Sequence, residues 1–570
     1  MRRYASIDFL RGLAIFLMLF LHVVNHVLDV GDILVNLNDV PLINTMVFAI
    51  LPYLGGLAGF FLIVSAIGNM ISMYRHLQRG NSVNSLIVKQ VVGGCILLAF
   101  AMLTEGVIGY WGAVGEVFLS LDKVDLYWWL PALYRGYKFE TIHTIAWCII
   151  VNGLVQGVLS RHERWKKPAL LIKIYAVLAV AVLASTQFLW DMASAITTAL
   201  GNPGYPHGSD PLLGNGEPVL GLSPWYDHVL YFFLNPIAGA PEPIFPYLAA
   251  SFIGSIIGIV LSQPRESIPR DFPRKMLWVG LTMFLVGTVY IILFFVVQLA
   301  GGVSFGTLAD MYRNIWDHHY WTPEHGFWPL AWVFQFVSLN GFAIMATMLV
   351  IKLVEFRGNG AQFAKKTAFI RRFGFIAFTN YAFQWLYYIA WFLVTLLFYA
   401  NPYKLIDWGG TVITWVLTLG FYEGMMLLWE RVRYTGSIEW CVSALGNLLI
   451  PAKRGRKEGA KRWWQAAQLD VDGSFYHAEW LDVVEKSEIA TKNMRESKLA
   501  CKLALIGLVS LLFTPFCFVT LQLSRTAEIM EGKNRYNTMA RTVSIIGICV
   551  LIAVIGVFWA FTPNDLGIGF

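Results

Sequence analysis

An all-α bundle crossing a membrane about twelve times is the fold class this sequence predicts, and three observations predict it. Apolar residues make up 57% of the chain and charged residues only 14%, with a mean hydropathy of +0.58. Apolar runs of about 20 residues, the length that spans a bilayer as a helix, recur from end to end. These runs are continuous, whereas the strands of an outer-membrane barrel would alternate over about 10 residues.

In order, the predicted spans are 9–29, 44–72, 86–109, 141–160, 169–198, 240–262, 275–299, 328–353, 374–399, 408–430, 502–522 and 542–562. About ten form a core and the last two a C-terminal pair. The connectors "MYRHLQRGNSVNSLIVK", "RHERWKK", "QPRESIPRDFPRK" and "EFRGNGAQFAKKTAFIRR" are basic, and those between them are neutral or acidic. Positive charge stays inside, so the N-terminus and these loops are expected in the cytoplasm of a plasma (inner) membrane. The connector 524–541 is basic yet falls outside by alternation, which leaves the sense of the last two helices open. Asp8 and Arg11 within the first run, and no small-residue cleavage pattern after it, predict a retained helix instead of a signal peptide.

The composition breaks near residue 450. There "PAKRGRKEGAKRWW", a basic run with aromatics suited to anionic headgroups, leads into a mixed polar stretch. The expected division is a working core over 1–450, a cytoplasmic linker over 451–500 and a two-helix membrane module over 501–570. The net charge of +7 reflects loop topology and points to no nucleic-acid partner. Six scattered cysteines without paired spacing suggest neither a disulfide framework nor a zinc site, and no metal is expected.

The first helix carries the least expected chemistry. At about 100° per residue, Asp8, Arg11, His22, His26 and Asp29 share an arc of roughly 60°, so one polar stripe faces other helices or water. Ionisable groups inside a span are costly and mark function unless they satisfy one another. Arg11 and His22 stand about 16 Å apart along the axis and cannot share one small site. Asp8 can pair with Arg11, and His26 with Asp29, at i, i+3. An imidazole near one membrane face backed by a carboxylate suits a general base or an acyl acceptor. An anchor plus an interhelical hydrogen bond is the plainer reading.

With these residues in view, "RRYASIDFLRGLAIFLMLFLHVVNH" resembles the opening helix of the transmembrane acyltransferase superfamily that includes heparan-α-glucosaminide N-acetyltransferase and bacterial relatives. Arg3, Asp8, Arg11, Gly12, Ala14 and His22 fall on its pattern. Further segments resemble family elements in the same order: "GGLAGFFLIVSAIGNM" (55–70), "FETIHTIAWCII" (139–150), "GAPEPIFPYLAASFIGSIIGIVL" (239–261), "RRFGFIAFTNYAFQ" (371–384) and "RYTGSIEW" (433–440). Two departures stand out. His143-Thr144 replaces a Gln-Arg pair, and Ser437 replaces a proline.

The resemblance implies transfer of an acyl group, commonly acetyl, from cytoplasmic acyl-CoA (acetyl-CoA) to a hydroxyl or amine of an extracytoplasmic glycan or glycolipid. His22, His26 and Asp29 are then the catalytic candidates. Asp8, Arg11, Arg75, Lys89 and Arg372 are candidates for the donor's phosphates, with Asn380, Tyr381 and Gln384 supporting its path. His143, Glu242, Asp317, His318, Trp321 and Glu324 are candidates for the acceptor, although the tryptophans also fit an interfacial belt. A secondary transporter or flippase for a sugar or lipid-linked substrate is the alternative; the two halves show no convincing repeat. A non-catalytic use of the fold is the third reading. Acyl-histidine against direct transfer, and His22 against His26, stay open, and the reading allows an oligomer.

Overall fold

The computed structural model of the protein describes residues 2–27, 53, 57–110, 112–119, 136, 139–199, 225–239, 242–303, 331–398, 402–450, 469–481, 483, 494–509, 514 and 516–561. Among them, ten helices are long and apolar enough to cross a membrane, and the architecture is an all-α polytopic bundle. The principal helices are α1 (Ala5–Val27), α2 (Leu57–Gln78), α3 (Val83–Leu103), α4 (Thr141–Ser160), α5 (Pro168–Ala199), α6 (Trp225–Ala238), α7 (Ile244–Leu261), α8 (Phe272–Ala300) and α9 (Ala331–Val354). After these come α10 (Ala368–Phe375), α11 (Ala377–Ala382), α12 (Tyr387–Phe398), α13 (Pro402–Glu430), α14 (Ile438–Leu449), α15 (Arg495–Val509), α16 (Phe516–Glu531) and α17 (Arg535–Phe561). A two-residue parallel bridge joins β1 (Arg2–Arg3) to β2 (Glu479–Trp480).

Burial separates the centre from the lipid-facing rim. Helix α7 is 83% buried along its apolar window, whereas α8 is 17% buried and presents Val289, Ile292 and Val296 outward. Small residues allow α7 its central place: a Cβ on Gly254 would lie 2.5 Å from the Ile63 carbonyl oxygen of α2. Polar side chains add directed links between spans. Asn152 Nδ2 of α4 donates to Ser251 Oγ of α7 at 2.5 Å.

Two expected spans are broken. The stretch 374–399 folds as α11, a 3-10 turn over Gln384–Leu386, and α12. In an unbroken helix the Phe378 N–H would bond four residues back. Here it donates to Glu439 at 2.7 Å, and Thr379 Oγ1 donates to the same carboxylate at 2.6 Å. The stretch 502–522 likewise divides between α15 and α16.

Beyond residue 450 the described chain packs on the core. Leu353 of α9 clusters with Ala500, Ala504, Leu523 and Ala540, and Arg357 Nη2 pairs with Glu496 at 2.8 Å. Glu531 ties α16 to the start of α15 by accepting from the Glu496 and Ser497 N–H groups at 2.8 and 3.0 Å. Replacing Glu531 with alanine should lower stability by about 1–2 kcal/mol, the usual worth of a helix N-cap. A thermal scan of the detergent-solubilised protein would read this, and an unchanged midpoint would refute the capping role.

Candidate active site

Helix α1 carries the polar stripe, and its near end is locked before its far end is reached. Asp8 accepts from Arg3 Nε at 2.6 Å and from Arg371 Nη2 of α10 at 3.4 Å. The i, i+3 partner expected from sequence, Arg11, does not take this place. Helix α10 comes close enough for these bonds because Gly12 and Gly374 face each other: a Cβ on Gly12 would lie 1.8 Å from the Ile370 carbonyl oxygen. The first turn is held as well, since Glu355 accepts from the Ser6 N–H at 3.1 Å and from Ser6 Oγ at 2.9 Å.

Freed from Asp8, Arg11 lies against Gly68 of α2 and lines a cavity of about 280 Å³. The other walls come from five further elements. Ser65, Asn69 and Ser72 face it from α2, Thr141 and Ile145 from α4, Phe375 from α10, Tyr381 from α11 and Glu439 from α14. Phe61 and Ser72 bound it along α2, a length of about 16 Å at 1.5 Å per residue. Guanidinium, carboxylate, hydroxyls and an amide share the cavity with Ile15, Ile142 and Ile149. Such a lining suits a long ligand with alternating polar and apolar parts.

Further along α1, His22 and His26 sit among aromatic rings. The His22 ring is 4.9 Å from Tyr110 and stacks on Tyr387 at 6.2 Å, with Gln384 nearby. His26 meets Trp391 edge-on at 4.5 Å and Tyr388 at 5.3 Å. A π-helical turn over Thr104–Ile108 ends α3 and presents Tyr110; Trp385 Nε1 pins it by donating to the Ile108 carbonyl at 2.7 Å. Tyr381 in the cavity and Gln384 beside His22 lie three residues apart on the broken segment, so one stretch of chain serves both places.

The other expected residues are distributed as follows. Arg372 is held by Glu423 and by Glu430, the latter at 2.9 Å, away from the cavity lining. Asn380 Nδ2 donates to the Phe373 carbonyl at 3.0 Å, a structural tie between α10 and α11. Glu242 accepts from Thr141 Oγ1 at 2.6 Å and so buttresses one cavity-lining residue. His143 is buried, with Nε2 3.1 Å from the Gly136 carbonyl oxygen. Arg75 is half-buried near the end of α2, and Lys89 is exposed on α3. Asp29, Asp317, His318, Trp321 and Glu324 lie outside the described residues, and with Asp29 its expected pairing to His26. Among the described residues no three His, Cys, Asp or Glu side chains gather as metal ligands.

Sequence reasoning missed Glu439 as a cavity wall and Tyr110 as the ring against His22. The signal for Glu439 was in hand: it is the acid of "RYTGSIEW", the segment already compared with a family element. Tyr110 follows a turn with no pattern of its own.

Residues 3–206 match the family model described as heparan-alpha-glucosaminide N-acetyltransferase, catalytic. This stretch is similar to the catalytic domain of that family. Neither a search of curated proteins nor one of solved structures returns a match. The matched region supplies Arg11, His22, His26, Asn69, Tyr110 and Thr141, whereas Phe375, Tyr381, Gln384 and Glu439 come from beyond it. The cavity is therefore built jointly by the matched region and the chain that follows it.

Proposed function

We propose that the protein moves an acyl group, acetyl in the simplest case, from acyl-CoA entering at the basic-loop face to a hydroxyl or amine of a sugar on the opposite face. The observation that carries this reading is Arg11, unpaired with Asp8 and lining a long mixed-polarity cavity on the same helix that holds His22. In this reading residues 1–450 carry the chemistry. Arg11 receives an anionic or carbonyl oxygen of the donor, and the hydroxyl and amide groups of Ser65, Asn69 and Thr141 meet the amides of its arm. His22, packed against two tyrosines, takes the acceptor's proton or the acyl group itself. The aromatic rings around His26 offer flat faces to a sugar ring.

Arg11→Ala should raise the donor KM about 10–100-fold, the loss of one charge-assisted contact, with a smaller change in kcat. The direct test is thioester consumption by the purified protein in nanodiscs supplied with radiolabelled acetyl-CoA and a panel of amino and neutral sugars. Turnover that follows the acceptor and falls in Arg11→Ala supports the reading. Absence of both binding and turnover, across donors of several chain lengths, would overturn it in favour of transport.

A further inference from the structure

Residues 469–483 lie in the stretch expected from sequence to be a cytoplasmic linker, yet they are docked into the core. Phe475 is 3% and Leu481 2% exposed, and both join the main apolar cluster with Val471 and Val483. The attachment centres on α10. Arg371, itself 1% exposed, lies between two rings of this segment, 4.4 Å from the centroid of Phe475 and 4.6 Å from that of Trp480. Its Nη2 also donates to the Phe475 carbonyl at 3.3 Å. Neighbouring Arg372 donates to the Tyr476 hydroxyl at 2.9 Å, and that hydroxyl donates to Glu430 at 2.6 Å. Backbone bonds secure the far end, from Leu481 N–H to the Arg3 carbonyl at 3.0 Å and from Val483 N–H to the Glu355 carbonyl at 2.8 Å.

The segment covers a balanced ionic cluster: Arg3, Arg371 and Arg372 against Asp8, Glu423 and Glu430. Rings stacked on a guanidinium attract it and keep water away, which strengthens the neighbouring ion pairs. The cluster also borders the cavity through one residue. Phe375 lines the cavity and packs on Phe475 at 5.6 Å and on Tyr434 at 5.5 Å. The side chain that walls the cavity is thus backed by a ring of the docked segment. The segment itself is short, contains a π-helical turn over Asp472–Tyr476, and leaves Asp472, Gly473, Tyr476, His477 and Glu479 exposed, which are the marks of a unit that opens before the whole.

We propose that residues 469–483 form a releasable strap that clamps α10 and sets the position of Phe375, so that chain beyond residue 450 controls access to the cavity. With the strap docked, Phe375 is held between the cavity and the rings behind it. With the strap released, Arg371 loses both ring faces, α10 loosens against α1, and Phe375 can swing out and widen the cavity.

The test needs no substrate. In the full-length chain, with its six cysteines replaced by serine or alanine, Asn69→Cys places a thiol in the cavity wall. Its rate of reaction with a charged, water-soluble methanethiosulfonate is measured in nanodiscs. Adding Phe475→Ala and Trp480→Ala should raise this rate about tenfold or more, and amide exchange should rise across 368–382 but not in α7. Should that double variant fail to fold, Arg2→Cys with Glu479→Cys serves instead, because these residues are Cα partners in the bridge. There the thiol at 69 is read with a charged maleimide; oxidation to the disulfide should slow labelling, and reductant should restore it. A labelling rate within about twofold in every strap state, with protease sensitivity at 469–483 showing that the strap did detach, would overturn the proposal.

Discussion

Valine at Gly12 should abolish correct folding of the protein. The reason is the crossing of α1 and α10, where backbone meets backbone. A Cβ at Gly12 would stand 1.8 Å from the Ile370 carbonyl oxygen, and one at Gly374 would stand 2.5 Å from the Asp8 carbonyl oxygen. An ordinary overpacked site costs about 1–3 kcal/mol because side chains can rotate away, and carbonyl groups inside a helix have no such escape. The helices would have to separate by an ångström or more. Separation would break the Asp8–Arg371 pair and leave the buried Arg371 guanidinium without its carboxylate, a further cost of about 3–5 kcal/mol. Gly12→Val should elute as aggregate in size-exclusion chromatography after detergent extraction, with Gly12→Ala intermediate between it and the wild type. A monodisperse Gly12→Val protein with an unchanged melting midpoint would show that the two helices do not approach this closely.

Alanine at His22 should remove acyl transfer while leaving the fold intact. His22 packs against Tyr110 and Tyr387, so its loss leaves a void but no stranded charge. General base or nucleophilic assistance by a placed imidazole is worth about 10²–10⁴-fold, and the transfer rate should fall by that amount. Donor binding should persist, because Arg11 and the cavity wall are untouched. His26→Ala is the informative companion, since His26 contacts Trp391 and Tyr388 and, among the described rings, shares only Tyr387 with His22. A loss confined to His22→Ala assigns the chemistry to that ring. Equal losses in the two variants indicate that the imidazoles act as a unit, and full activity in His22→Ala would end the catalytic reading of α1.

How much of this was legible in the chain differs from residue to residue. The apolar runs and the polar stripe of α1 could be read directly, because hydropathy and a 3.6-residue period are properties of neighbouring residues. The pairing of Asp8 came out differently: an i, i+3 contact with Arg11 is sterically open, yet Arg3 at 2.6 Å and Arg371, 363 residues away, at 3.4 Å share the carboxylate. The break in the ninth predicted span had no local sign either. It depends on Glu439, about sixty residues later, offering an acceptor that competes with the helix's own carbonyls.

Membrane residence, the helical class and the polar face of α1 were determined by sequence alone, since each follows from transfer of side chains and backbone out of water. The tertiary structure decided which charges meet, where a cavity lies along α1, and that residues 469–483 belong to the core. Those outcomes depend on distances between groups far apart in the chain. Where several partners satisfy the same rule, packing chooses among them.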